Sequence, residues 1–250
     1  MADVAGLMFC SDIDLGYQRS RTKFEAGQGV LLDESYRLAH LPLVAPDHPR
    51  VIASRDGKPY MMGRHPTVFS LGLPVDADAL DASPAFKELE REIKTSPFAS
   101  KIAWDMLPRR RGKLHATLCG SLGDAASTIA EAARRELRRL APMQVELRGL
   151  FSGNINVGRL YLRVYPEFRD GQNLFRTLQR ALGRPETDLY VVGLYNLKDD
   201  LDSAEATALG ELIERWWDRP ILRYTVDRLW LMQAKDDLVL DGGVAEEIAL

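Results

Sequence analysis

The sequence predicts an α+β chain of two similar lobes, each an antiparallel sheet with outer helices, around a central cleft. Three observations lead there. From residue 66 onward, short apolar or alternating runs exchange with helical periods in the order βαβαββαβαβ. The runs MQVELRGLF (143–151) and RLYLRVYP (159–166) are separated by the loop GNINVG, which suits an antiparallel pair and is too short for a parallel crossover. A strand, helix and strand at 113–151 are echoed at 189–234, with Leu122 and Leu197 closing equivalent strands.

Each element has a local reason. Residues 1–65 read as an irregular extension, since Gly6, Gly16, Gly27, Gly29, Gly57, Gly63 and the run LPLVAPDHPR break any long period. Only a short helix around 32–40 and a turn at RDGKPY (55–60) stand out. TVFSLGLPV (67–75) is apolar and proline-bounded, as a buried strand should be. SPAFKELEREIKT (83–95) reads as a helix, with Ser83 as cap, Pro84 in the first position and Phe86, Leu89 and Ile93 on one face. KLHATLCGSL (113–122) reads as a strand, and DAASTIAEAARRELRRL (124–140) as an Ala-rich helix with Asp124 at its positive end. NLFRTLQRALG (173–183) is a helix closed by Gly183, and LYVVGLYNL (189–197) a strand. SAEATALGELIERWW (203–217) is a helix opened by Ser203, and LRYTVDRLWLMQA (222–234) a final strand. The two-lobed domain is expected over 66–240, with a tail at 241–250.

Composition narrows the function classes. The 250 residues hold 33 Lys+Arg against 36 Asp+Glu, a net charge of -3. That leaves no overall positive field for long nucleic acid, so a nucleotide or RNA end must meet a local basic patch. Cys10 and Cys119 are too few for a disulfide framework and suit a reducing cytoplasm. The start MADVAGLMFC lacks a basic n-region, and no apolar stretch is long enough to span a bilayer. A soluble cytoplasmic protein is expected.

The chain holds no P-loop, GxGxxG, HExxH, CxxC or GxSxG motif. His40, His48, His65 and His115 show no ligand spacing, so neither a metal nor a cofactor is expected. His115 is the informative histidine. It lies in LHATLCG, with Thr117 two residues on, and a two-residue step on a strand returns to the same face. An imidazole there can carry a proton, while the hydroxyl beside it holds a phosphate oxygen. PRRRGK (108–113) precedes it, so Arg109, Arg110, Arg111 and Lys113 stand ready to meet an anion at the strand's entrance. ARRELRRL (133–140) reads as a solvated helix face, Trp216, Trp217 and Trp230 as packing, and Cys119 as a small buried hydrophobe.

With LHATL on the second strand, the element order from 66 to 234 resembles the 2H phosphoesterase family, the LigT-like or 2′-5′ RNA ligase-like fold. The segment MQVELRGLFSGNINVGRLYLRVYP is similar to the middle of that family's pattern. The resemblance implies two lobes, a cleft, and two H-x-T/S histidines acting as acid and base on a phosphodiester or 2′,3′-cyclic phosphate. By position the second motif falls in DLYVVGLYNL (188–197), which has no histidine. Two alignments put either Leu189 and Val191, or Tyr190 and Val192, in its slots.

Three readings of that departure stay open. Tyr190 or Tyr195 supplies a phenol in place of the imidazole; His65, sharing a face with Thr67, swings in from the extension; or the pocket only binds a phosphorylated ligand. The expected catalytic set is His115, Thr117 and Tyr190, and the phosphate-binding set Arg111, Lys113 and Tyr195, with His65 ranked lower. A metal-independent cyclic phosphodiesterase is the first reading. A phosphate- or nucleotide-binding module without turnover is the second. A cleft plugged by the extension, in a protein that works through partners, is the third.

Overall fold

The computed structural model describes residues 7–122 and 129–250. The extension holds three short helices, α1 (Tyr17–Ser20), α2 (Glu34–Ala39) and α3 (Leu41–Val44). The body contributes β1 (Arg64–Pro74), α4 (Ala77–Ala82), α5 (Pro84–Lys94), α6 (Met106–Arg110), β2 (His115–Cys119) and α7 (Glu131–Leu140). Then follow β3 (Met143–Ser152), β4 (Arg159–Pro166), the two-residue strands β5 (Phe168–Arg169) and β6 (Gln172–Asn173), and α8 (Leu174–Ala181). The chain ends with β7 (Val191–Asn196), α9 (Ser203–Trp216), β8 (Pro220–Val226), β9 (Arg228–Asp236) and β10 (Gly242–Ala249).

The fold class is α+β, as the sequence predicts. The two lobes are halves of one eight-stranded sheet, in the order β10-β9-β1-β2-β7-β4-β3-β8. Every pairing in it is antiparallel. The halves meet at β2 and β7, where a single pair, Ala116 with Val192, is in register. On one face of this seam α8 packs against β2. The other face bears the groove described below.

Several expectations change in detail. The strand expected over 222–234 is two strands broken at Asp227, and they belong to different halves: β8 pairs with β3, and β9 with β1. Six strand spacings of about 4.8 Å separate β8 from β9 in the sheet order, whereas a one-residue link spans only about 7 Å. The sheet is therefore curled. Residues 242–249 form the edge strand β10 on β9. The cap of α9 is Asp202, not Ser203: its carboxylate accepts from Glu205 N at 2.8 Å, and Glu205 returns the bond to Asp202 N at 2.9 Å. Strand β2 begins at His115 because Arg111–Lys113 form a 3-10 turn. The helix expected over 124–140 runs over Glu131–Leu140; the positions 124–128 lie outside the described residues.

Ser83 caps α5 as expected, with Phe86, Leu89 and Ile93 buried. The extension packs against the body: Tyr17 and Tyr36 are fully buried. Tyr17 stacks on Phe151 and Tyr165 at ring distances of 5.7 and 5.4 Å, over the sheet face that carries Tyr161 and Arg163. Tyr36 donates to the Leu197 carbonyl at 2.6 Å. Buried aromatics with satisfied hydroxyls make the extension an integral layer.

Candidate functional site

Strand alternation puts His115 and Thr117 on the face opposite Ala116 and Leu118. Ala116 and Leu118 are buried, Thr117 is exposed and His115 half-buried. His115 and Thr117 lie in the floor of a groove of about 400 Å³, with Val68 and Ser70 of β1 beside them. The extension supplies His40, Tyr60 and His65 to this groove, and Asn156, Arg159, Asp236 and Asp237 complete it. The extension thus walls the groove without filling it.

The tautomer of His115 follows from its neighbour. Its Nδ1 lies 2.7 Å from the Lys113 carbonyl, which can only accept, so Nδ1 carries the proton and Nε2 keeps its lone pair. Burial, with the charges of Arg110 and Arg159, brings its pKa down to about 4. At neutral pH the ring is a neutral base facing the groove.

The cations nearby are incompletely matched. Arg110 is buried, and its Nε donates to the Leu238 carbonyl at 2.7 Å. Arg159 Nη1 donates to the Asp237 carbonyl at 3.1 Å. Among the described residues, Arg110 Nη1, Arg159 Nε and both ring nitrogens of His40 are buried without a hydrogen-bond partner. No carboxylate of the described residues makes an ion pair with either arginine, although most other arginines here have one. Burial and the charge of Arg159 pull Arg110 down to about 9, and burial with Arg159 takes His40 to about 3.

One wall is a linked trio. Asp237 accepts from Tyr60 OH at 2.9 Å and lies 3.3 Å from His65 Nε2. His65 Nδ1 lies 2.7 Å from the Pro66 carbonyl. Both ring nitrogens of His65 are engaged. The Asp237 hydrogen bond raises the His65 pKa, while burial opposes the rise. Burial alone would lift the Asp237 carboxyl, but His65, His40 and Tyr60 outweigh it and hold it near 2.

Four of the sequence-predicted site residues are not brought to this groove. Tyr190 is fully buried, donates to the Thr187 carbonyl at 2.5 Å and packs edge-on against Phe175 of α8 at 5.0 Å. It has the parity of Val192, which pairs with Ala116, so it faces the helices. Tyr195 donates to Glu90 of α5 at 3.2 Å and stacks near Trp104. A bulge explains its direction. Leu160 and Tyr161 are adjacent on β4, yet they pair with Tyr195 and Gly193, two residues apart on β7. Tyr195 is thereby turned to the opposite face from Gly193. Arg111 forms ion pairs with Asp78 and Asp81 at 2.6 and 2.7 Å. Lys113 Nζ donates to the carbonyls of Val239 and Gly242 at 2.7 and 2.9 Å. His65 does reach the groove.

The seam also corrects both alignments of the missing motif. An antiparallel pair has a local two-fold axis, and here it passes midway between Ala116 and Val192. It carries His115 onto Val191 and Thr117 onto Gly193. The second half therefore offers an aliphatic side chain and a bare backbone where the first offers an imidazole and a hydroxyl.

The groove residues that sequence reasoning does not reach are Arg159, Asp237, Tyr60 and Asn156. Trp216 and Trp217 are buried as packing residues, and Arg134, Arg138 and Arg139 pair with Glu246, Glu131 and Glu136. Among the described residues, no group of three or more His, Cys, Asp or Glu could hold a metal ion. No helix of the described residues is long and apolar enough to cross a membrane.

No protein-family model matches the chain, and no curated protein matches it. Among solved structures it is similar to the crystal structure of TT0787 of Thermus thermophilus. The likeness is 15% identical, covers 73% of this chain and 97% of that one, and has a TM-score of 0.40. A likeness at that level assigns no activity.

Proposed function

We propose that the groove binds a phosphate ester and that His115 acts there as a general base, opening a nucleotide or RNA-end 2′,3′-cyclic phosphate. The observation that carries this reading is the free Nε2 of a neutral His115, beside the exposed hydroxyl of Thr117, in a groove whose arginine, Arg159, makes no direct ion pair and keeps an unpartnered Nε among the described residues. Nε2 takes a proton from water as the water oxygen bonds to phosphorus. One endocyclic P–O bond breaks, and the departing ribose oxygen takes a proton from solvent. The product is a phosphomonoester. Thr117 donates to a phosphate oxygen. His65, with both nitrogens occupied, holds the wall and does not meet the leaving group. Missing a positioned acid costs about a hundredfold to ten-thousandfold in rate, so slow turnover is expected. Purified protein with 2′,3′-cyclic nucleotides and EDTA should release the monoester, and His115→Ala should abolish release. Equal release by the variant sinks the reading.

A binding module without turnover is the second reading, favoured by Val191 and Gly193 at the two-fold positions. Calorimetry with a nucleoside monophosphate then gives saturable binding while no cyclic nucleotide is opened.

A further inference from the structure

Gly193 is bare for a reason visible on the groove face. A methyl group built on it would meet the guanidinium of Arg159, with Cζ and Nε both 2.6 Å away. The guanidinium therefore occupies the volume where the two-fold mate of the Thr117 side chain would stand. It reaches there from β4, the strand next to β7, and also lies over Tyr161, with Cζ 5.4 Å from the ring centre.

We propose that Arg159, seated in the notch over Gly193, is the anion anchor of the groove and grips the phosphate oxygens opposite Thr117. This rests on reading the groove as a phosphoester site. The Asp237 carbonyl orients one nitrogen of Arg159 without cancelling its charge. Its Nε is buried and unpartnered among the described residues, a state that costs free energy until an acceptor arrives. A planar guanidinium offers two parallel N–H bonds to a tetrahedral oxyanion, a fit that lysine lacks. The first half thus contributes a proton acceptor and a hydroxyl, and the second half a charged fork borrowed from the neighbouring strand.

The test uses the full chain and inorganic phosphate, titrated by calorimetry and followed by NMR of the His115 ring. Wild type should bind phosphate. Arg159→Met should weaken binding at least tenfold, and Arg159→Lys should restore part of the loss. Gly193→Ala is the more telling variant. The backbone at Gly193 is not left-handed, and what a methyl displaces is the flexible end of an arginine. The variant should therefore fold normally, as circular dichroism will register, and still lose phosphate affinity. His115→Ala should keep most of it. No phosphate binding by wild type, or equal binding by wild type and Arg159→Met, overturns the anchor. Arg159-dependent binding without turnover of 2′,3′-cyclic nucleotides upholds the anchor and removes hydrolysis. Turnover undiminished in Arg159→Met does the reverse.

Discussion

The imidazole of His115 lies against the bare backbone of Gly72: a methyl group there would sit 3.0 Å from His115 Cδ2 and 3.3 Å from Cγ. Gly72 pairs with Thr117 across β1 and β2, so one glycine borders both functional side chains. Gly72→Ala should push the ring by a few tenths of an ångström. We expect about a tenfold loss of His115-dependent turnover, with a stability change below about 2 kcal/mol. Parallel assays of cyclic-nucleotide opening and thermal melting check this.

The pH profile of turnover should have a low acidic limb. The His115 pKa is depressed to about 4, so its basic form is complete well below neutrality. Activity should rise through about pH 4 and show no inflection near 6.5. An inflection near 6.5 that vanishes in His115→Ala contradicts the burial argument.

Stability should fall in acid. His40 and His115 have folded-state pKa values of about 3 and 4, below their unfolded value of 6.5. Their contribution is therefore complete above 6.5 and drains away as pH falls towards 4 and then 3. His65 has the opposite sign: its pKa is raised, so its contribution is full below 6.5 and is lost as pH rises through the folded value. Urea melts between pH 3 and 8 should show the acid slope reduced in His40→Phe.

Asp237→Asn should release both Tyr60 and His65. Breaking bonds to a half-buried carboxylate costs about 1–3 kcal/mol. The His65 titration, read by NMR, should drop towards that of an ordinary imidazole, because its leading cause is removed.

Tyr190→Phe and Tyr195→Phe should each leave turnover unchanged and cost about 1 kcal/mol of stability. Each hydroxyl serves a half-buried contact, to Thr187 and to Glu90 respectively. A hundredfold loss of turnover in either would return a phenol to the chemistry.

What the sequence reveals here follows from range. The strand with His115 and Thr117 is legible because period-two alternation is local, and so are the Ser83 and Asn173 helix starts. Tyr190 and Tyr195 mislead because facing depends on register and on one bulge in β7, which no propensity records. The split at Asp227 is hidden because apolar residues continue on both sides of it, with Val226 and Leu229 both buried. Arg159 and Asp237 are silent in the sequence, since only the sheet order sets β4 and the end of β9 two strands from β2, one on each side of it.

The one-residue link at Asp227 has a mechanical consequence. It pins the far edge of one half to the inner strand of the other, as a clasp closes a bracelet. Tyr224 braces the same corner by donating to the Pro74 carbonyl at 3.0 Å. The aperture between the halves is thus governed by a one-residue connection that itself lines no part of the groove. Lengthening that clasp by a few glycines would let the bracelet spring open. The same insertion at the exposed Gly57 turn would leave its bore unaltered.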